Sequence, residues 1–158
     1  MAQRMHGLDE SQSDLWVALT VFSQLFTPAM DARLREVGLT LFEYGALMSL
    51  SDAPDRALRI SEMAERTYAP VPRLSKVVAR LEGRGLVTRS VSTTDGRASL
   101  ISLTASGRRV LLRAAQIQAA AAHYLVLDRI SAGDAATLAT ILSPLVASLD
   151  TTGPLSDG

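Results

Sequence analysis

From Leu15 onward apolar residues recur at steps of three or four: Leu15, Leu19, Phe22, Phe26, Met30, Leu34 and Val37. That spacing predicts an amphipathic helix. Pro28 falls inside the pattern and is expected to kink the helix or end it locally. Gly38 suits the position just past a helix end. Residues 1–12 read as a frayed tail. Thr40 and Glu43 have the spacing of a capping box, so a second helix starts there, with Tyr44, Leu47, Met48 and Leu50 inward. The stretch SDAPDRA is a turn, and Arg59-Ile60 is at most a short extended piece. Ser61 reads as the cap of a short helix running to about Thr67, with Met63 and Ala64 inward.

The next helix carries the most information. Pro70 or Pro72 suits its first turn, where no intrahelical N–H bond is needed. Leu74, Val77, Val78 and Leu81 form an inward stripe, and Arg73, Lys76 and Arg80 share the opposite face. Gly85 is a candidate left-handed cap. A short helix, a tight turn and a second helix with a basic outer face make a helix-turn-helix. The period then changes to two. LVTRSV and RASLISL read as strands around Asp95-Gly96, a strong hairpin signal. In the second strand Leu100 and Ser102 face one way, Ile101 and Leu103 the other. A hairpin directly behind a helix-turn-helix is a wing, and Arg89 and Arg97 put charge on it. Thr104 caps a long helix to about Leu127. Ser131 and Asp134 begin a final one lined by Leu138, Ile141, Leu142, Leu145 and Leu149, with Pro144 expected to bend it.

Composition fits a folded domain: 47% of the 158 residues are apolar and 20% charged. Net charge is zero, but it is unevenly placed. Arg59 to Arg97 holds eight basic residues against four acidic, while the rest of the chain holds eight against twelve. A basic module in an acidic frame fits a nucleic-acid partner. The absence of cysteine excludes disulfides, thiolate metal sites and cysteine redox switches. The longest uncharged stretch, Leu15–Met30, is polar in places and short of a membrane span. The N-terminus has no secretory pattern. These features point to a cytoplasmic protein with no membrane partner.

An enzyme reading finds little support. Ser61 and Glu62 have no histidine nearby in the pattern, and no phosphate-binding loop or metal motif is present. His6 and His123 are far apart and do not form a zinc site of the usual kind. No cofactor and no metal are expected. The outer helices carry more apolar surface than a small winged domain can cover, and a twofold partner would cover it.

LTLFEYGALMSL followed by ISEMAERTYAPVPRLSKVVARLEGRGLVTRSVSTTDGRASLISLTASGRRVL resembles the MarR family of bacterial transcriptional regulators. The resemblance covers about residues 15–149. Its most specific part is Leu81-Glu82, Gly85-Leu86-Val87, Arg89, Asp95, Arg97, Leu103-Thr104 and Gly107 in that order and spacing. It implies a mainly α fold with a small β wing: a winged helix-turn-helix with N- and C-terminal dimerisation helices. The whole is a single domain over residues 1–158. The winged lobe takes residues 40–103, and the helical dimerisation lobe takes 13–37 and 108–149.

The implied function is sequence-specific binding of double-stranded DNA by a homodimer, as a repressor at a pseudo-palindromic operator, released by a small aromatic or phenolic ligand. The alternative is a winged-helix protein without an effector, controlled by its abundance or acting through protein contacts. By position, the implied recognition helix is about Val71–Arg84, with base reading near Val71, Pro72, Arg73 and Lys76. The wing arginine is Arg97, and Asp95 steadies the wing. Pro70, Val71 and Pro72 depart from the Ser or Thr frequent there, so groove reading leans on Arg73 and on apolar contact with thymine methyls. Arg80 and Arg84 are either phosphate contacts or form intramolecular ion pairs around Glu82. Arg89 is a phosphate or structural residue, and Ser61 a cap or backbone contact. Trp16, Phe22, Ser23, Phe26, Phe42, Tyr44 and Arg56 are candidates for the ligand site, with Tyr68 a further aromatic in reach; core or dimer packing is the alternative for each aromatic.

Overall fold

The computed structural model describes residues 7–91 and 99–150. Helix α1 spans Glu10–Leu34. It starts earlier than the apolar pattern because Asp9 and Gln12 close a reciprocal cap: Asp9 accepts the Gln12 N–H at 2.9 Å, and the Gln12 side chain accepts the Asp9 N–H at 3.1 Å. The expected tail over residues 1–12 is therefore helical from Glu10. Pro28 lies within α1 and does not end it. A single 3-10 turn at Arg35–Val37 leads to Gly38, which is left-handed at φ 71°.

Helix α2, Leu41–Ser51, begins with the expected Thr40–Glu43 capping box. Asp31 of α1 adds a further tie, accepting the Leu41 N–H at 2.6 Å. The SDAPDRA turn contains a 3-10 turn in which Asp55 and Arg56 have positive φ. Strand β1, Ala57–Arg59, follows, and helix α3 covers Ile60–Arg66. Ser61 is not the cap of α3. The cap position is Arg59, whose backbone N–H donates to the Glu62 carboxylate at 2.7 Å. The return bond of a capping box needs only a main-chain N–H at the cap, which any residue except proline supplies.

Helix α4 spans Val71–Gly83, with Pro70 at its cap and Pro72 in its first turn. Between α3 and α4, Tyr68 sits at φ 51°, a left-handed turn conformation uncommon for a bulky residue. Leu74, Val77, Val78 and Leu81 are all buried, as the stripe predicts. Gly85 is left-handed at φ 67° and ends the helix. Strands β2, Val87–Val91, and β3, Ser99–Leu103, are antiparallel, and β1 adds to the far edge of β3. Leu58 and Arg89 both oppose Ile101, which is fully buried. Leu34, Leu47, Leu50, Met63, Leu74 and Leu81 complete the centre of the core.

Helix α5, Ala105–Leu125, is seated on the end of α4. Thr104 accepts the Gly107 N–H at 2.9 Å and donates its hydroxyl to the Gly85 carbonyl at 2.7 Å. Its own N–H donates to the Leu86 carbonyl at 3.1 Å. This close seat needs a glycine, since a Cβ at Gly107 would lie 2.0 Å from that carbonyl oxygen. Helix α6, Ala132–Leu149, starts at Ser131, which accepts the Asp134 N–H at 3.1 Å. The Asp134 carboxylate bonds back to the Ser131 hydroxyl at 2.7 Å.

The outer helices are poorly covered in the single chain. No residue of α6 is buried, and Leu15, Trp16, Phe22 and Leu25 of α1 are exposed. Among the described residues, Ala105–Arg129 and Ala132–Leu149 are long and apolar enough to cross a membrane. Helix α5 buries Gly107, Leu111, Ala114 and Ala121, whereas α6 buries no residue.

Candidate nucleic-acid interface

The outer face of α4 presents Val71, Pro72, Arg73, Lys76, Arg80 and Arg84, all exposed. Its first turn carries no acidic residue. These groups differ in how they are held. The Arg73 guanidinium lies 4.4 Å from the Phe42 ring centroid, a cation–π contact. Lys76 has no ion pair among the described residues, so its ammonium is free to meet a phosphate or a base. Arg80 Nε donates to Glu43 Oε1 at 2.9 Å, and Arg84 stands 3.7 Å from the same oxygen. The internal partner of both arginines is thus Glu43 of α2. Glu82, the partner expected from the sequence, instead accepts from Arg89 of β2 at 3.1 Å, joining α4 to β2. Asp95 and Arg97 lie outside the described residues, as does His6.

Ser61 is exposed in the first turn of α3. With Val71 it lines a cleft of about 660 Å³ whose other wall is Val146 and Leu149 near the end of α6. The candidate ligand residues do not converge on one site. Phe42 and Tyr44 share a cleft of about 460 Å³ with Thr27, Arg66, Tyr68 and Arg73. The Tyr44 pKa is raised by burial and, to a lesser degree, by the Asp52 carboxylate, so its hydroxyl keeps its proton at neutral pH. Phe22 and Phe26 stack at 5.2 Å and line a separate apolar cleft against Leu125 and Val126. Trp16 is exposed on α1, Ser23 bonds back to the Thr20 carbonyl, and Arg56 lies in the turn before β1; none of these three lines either cleft.

Two residues matter more here than their sequence context indicates. Glu43 has the pattern of a helix cap and nothing more, yet it is buried and reaches a helix 37 positions away. Phe42 has the pattern of core or ligand packing, and its ring instead carries the first basic residue of α4.

A three-stranded sheet, a helix-turn-helix and a basic second helix define a winged helix-turn-helix DNA-binding protein. A family model described as MarR family matches residues 37–98. The chain is 35% identical over 105 residues to the HTH-type transcriptional repressor Rv2887 of Mycobacterium tuberculosis, covering 66% of this chain and 73% of that one. Among solved structures it is similar to Sco3205, a MarR family transcriptional regulator from Streptomyces coelicolor in complex with DNA. The TM-score is 0.85 at 30% identity, over 90% of this chain and 93% of that one. It is also similar to AbsC, another MarR family regulator from Streptomyces coelicolor, with a TM-score of 0.86 at 25% identity over 95% and 100% of the two chains. The chain belongs to the MarR family and is a DNA-binding transcriptional regulator.

Proposed function

We propose that this regulator is a cytoplasmic homodimer that represses transcription from a pseudo-palindromic operator. The observation that carries the reading is the division of the surface. The outer face of α4 offers basic side chains, while α1 and α6 leave apolar side chains bare. Residues 13–37 and 108–149 form the dimerisation lobe, with Leu138, Ile141, Leu142 and Leu145 of α6, all exposed in the single chain, covered by the second copy. Residues 40–103 form the DNA-reading lobe. Twofold pairing sets two α4 helices about one helical turn apart, roughly 34–36 Å. Val71, Pro72, Arg73 and Lys76 enter the major groove, Ser61 stands at the backbone, and Arg97 enters the minor groove with Asp95 steadying the wing. Arg80, Arg84 and Arg89 flank this surface. The similarity to a mycobacterial protein named as a repressor supports repression over activation.

Release by a small aromatic ligand is part of the same reading. Its support is the cleft holding Phe42, Tyr44 and Arg73, which has aromatic walls, a protonated phenol and a cation that also belongs to the DNA-facing helix. A ligand there acts only through its different affinity for the DNA-bound and free forms. The test is genome-wide mapping of bound DNA, followed by titration of phenolic and aromatic carboxylic compounds against the protein on its mapped site. Paired half-sites upstream of regulated genes, and a compound that both raises the melting temperature and lowers operator affinity, are expected. A set of bound sites without twofold symmetry contradicts the dimeric reading. A stabilising compound that leaves operator affinity unchanged contradicts ligand release and favours control by abundance.

A further inference from the structure

Glu43 is the third residue of α2 and is buried, a rare place for a carboxylate. Its two oxygens serve different elements. Oε2 accepts the Thr40 backbone N–H at 2.9 Å and the Thr40 hydroxyl at 3.3 Å, which closes the cap of α2. Oε1 accepts Arg80 Nε at 2.9 Å, with Arg84 at 3.7 Å. Arg84 also stands against the turn between α1 and α2, where a Cβ added at Gly38 would lie 3.1 Å from its guanidinium. One residue before Glu43, Phe42 carries Arg73. The first turn of α2 therefore grips the recognition helix twice, at Arg73 and again two turns later at Arg80.

The cap does not require a charge. Glutamine serves the third position of a capping box as well as glutamate does. A buried carboxylate is costly unless paired and hydrogen-bonded. What compensates it here is the charge-assisted bond from Arg80 Nε. The Arg80 side chain is 57% exposed and only its Nε is taken up, so its other N–H groups face solvent while the ion pair offsets its charge and ties the guanidinium to α2.

We infer that Glu43 is a positioning residue for DNA recognition: it holds Arg80 and Arg84 against α2, fixes the rotation of α4 that aims Arg73 and Lys76, and withholds Arg80 from the phosphate backbone. The inference rests on α4 being the helix that reads DNA. A phosphate that drew the Arg80 guanidinium away from α2 would have to break its tie to Glu43, and this sets the test.

Fluorescence anisotropy with a selected operator duplex and a scrambled duplex, over a range of salt, is measured for the full-length protein and for Glu43→Gln, Arg80→Ala and Thr40→Ala. In Glu43→Gln the operator-to-scrambled affinity ratio falls about fivefold or more, the low end of what one misplaced base contact costs. Its salt dependence on scrambled DNA steepens by about 0.9 in logarithmic slope for each phosphate the freed Arg80 neutralises. Arg80→Ala lowers the ratio and leaves the scrambled-DNA slope unchanged. Thr40→Ala weakens the cap of α2 while keeping both ratio and slope, which separates positioning from general stability. An unchanged ratio or slope in Glu43→Gln overturns the inference. So does a slope shallower by about 0.9 per protomer in Arg80→Ala, because Arg80 is then an ordinary phosphate ligand. Arg80→Ala decides the matter if Glu43→Gln does not fold. A wild-type protein that binds the two duplexes equally would instead remove the reading of α4 on which the inference depends.

Discussion

Replacing Gly107 with alanine adds one carbon where, among the described glycines, an added Cβ meets its nearest neighbour. That carbon would lie 2.0 Å from the Leu86 carbonyl oxygen, 2.9 Å from its carbonyl carbon and 3.2 Å from a methyl of Leu103. Real Cβ atoms do not come within 3.0 Å of such neighbours, so α5 must move away from Leu86 by about 1 Å or more. The same oxygen accepts the Thr104 N–H at 3.1 Å, and the Thr104 hydroxyl donates to Gly85 at 2.7 Å. Moving α5 stretches both bonds. Overpacking costs about 1–3 kcal/mol, and each weakened hydrogen bond costs about 0.5–1.5 kcal/mol. The better helix propensity of alanine returns about 1 kcal/mol. The net expectation is a loss of about 1–5 kcal/mol, or about 2–20 °C in Tm for a chain of this size. Gly83 is the matched control: it ends α4, is exposed and has nothing within 4 Å of its added Cβ. Gly83→Ala should gain about 0.5–1 kcal/mol. Thermal and urea melts followed by circular dichroism, at one fixed protein concentration, measure both. Equal shifts in the two variants, or a Gly107→Ala protein as stable as wild type, would refute the close seat of α5 on Leu86.

Thr40→Ala removes the side-chain acceptor at the start of α2 and should cost about 1 kcal/mol in a urea melt. Sedimentation at micromolar concentration should give twice the chain mass for wild type. Leu145→Asp, on the exposed apolar face of α6, should give the mass of a single chain. A wild-type protein that sediments as a monomer, or that needs detergent to stay in solution, would contradict the proposed use of that face. Affinity for random-sequence duplex should fall steeply with salt, by about 0.9 in logarithmic slope per neutralised phosphate, and a flat response would remove the basic surface from binding.

The features legible in the sequence are those set by local physics. The stripe Leu74, Val77, Val78 and Leu81 follows from helical periodicity, and all four are buried. Gly38 and Gly85 stand where the backbone turns left-handed, which few other residues tolerate. Thr40 and Thr104 cap the helices they precede. The start of α1 was hidden because Asp9 and Gln12 lie among polar residues with no apolar rhythm. Ser61 has the residue type of a cap, but the cap of α3 is made by Glu62 on the Arg59 main-chain N–H, which leaves no mark in the sequence. The pairing of Ala57 with Ser102 and the reach of Arg80 to Glu43 are both non-local, and no short-range pattern encodes them. The aromatic residues were legible as apolar but not as belonging to separate clefts. That division depends on which face of α1 meets α2 and which meets the end of α5.

In the proposed function the outer face of α4 reads DNA sequence, with Arg73 at its leading end. Titration of a duplex selected from a random pool and of its scrambled counterpart with wild type, Arg73→Ala and Arg84→Ala, at one salt concentration, decides this. A bidentate base contact is worth about 1–3 kcal/mol of discrimination. Arg73→Ala should lower the ratio of selected to scrambled affinity about 5- to 150-fold, and Arg84→Ala should change that ratio less. Equal losses on both duplexes for Arg73→Ala would make Arg73 a phosphate contact and would contradict the assignment of α4's leading end to base recognition.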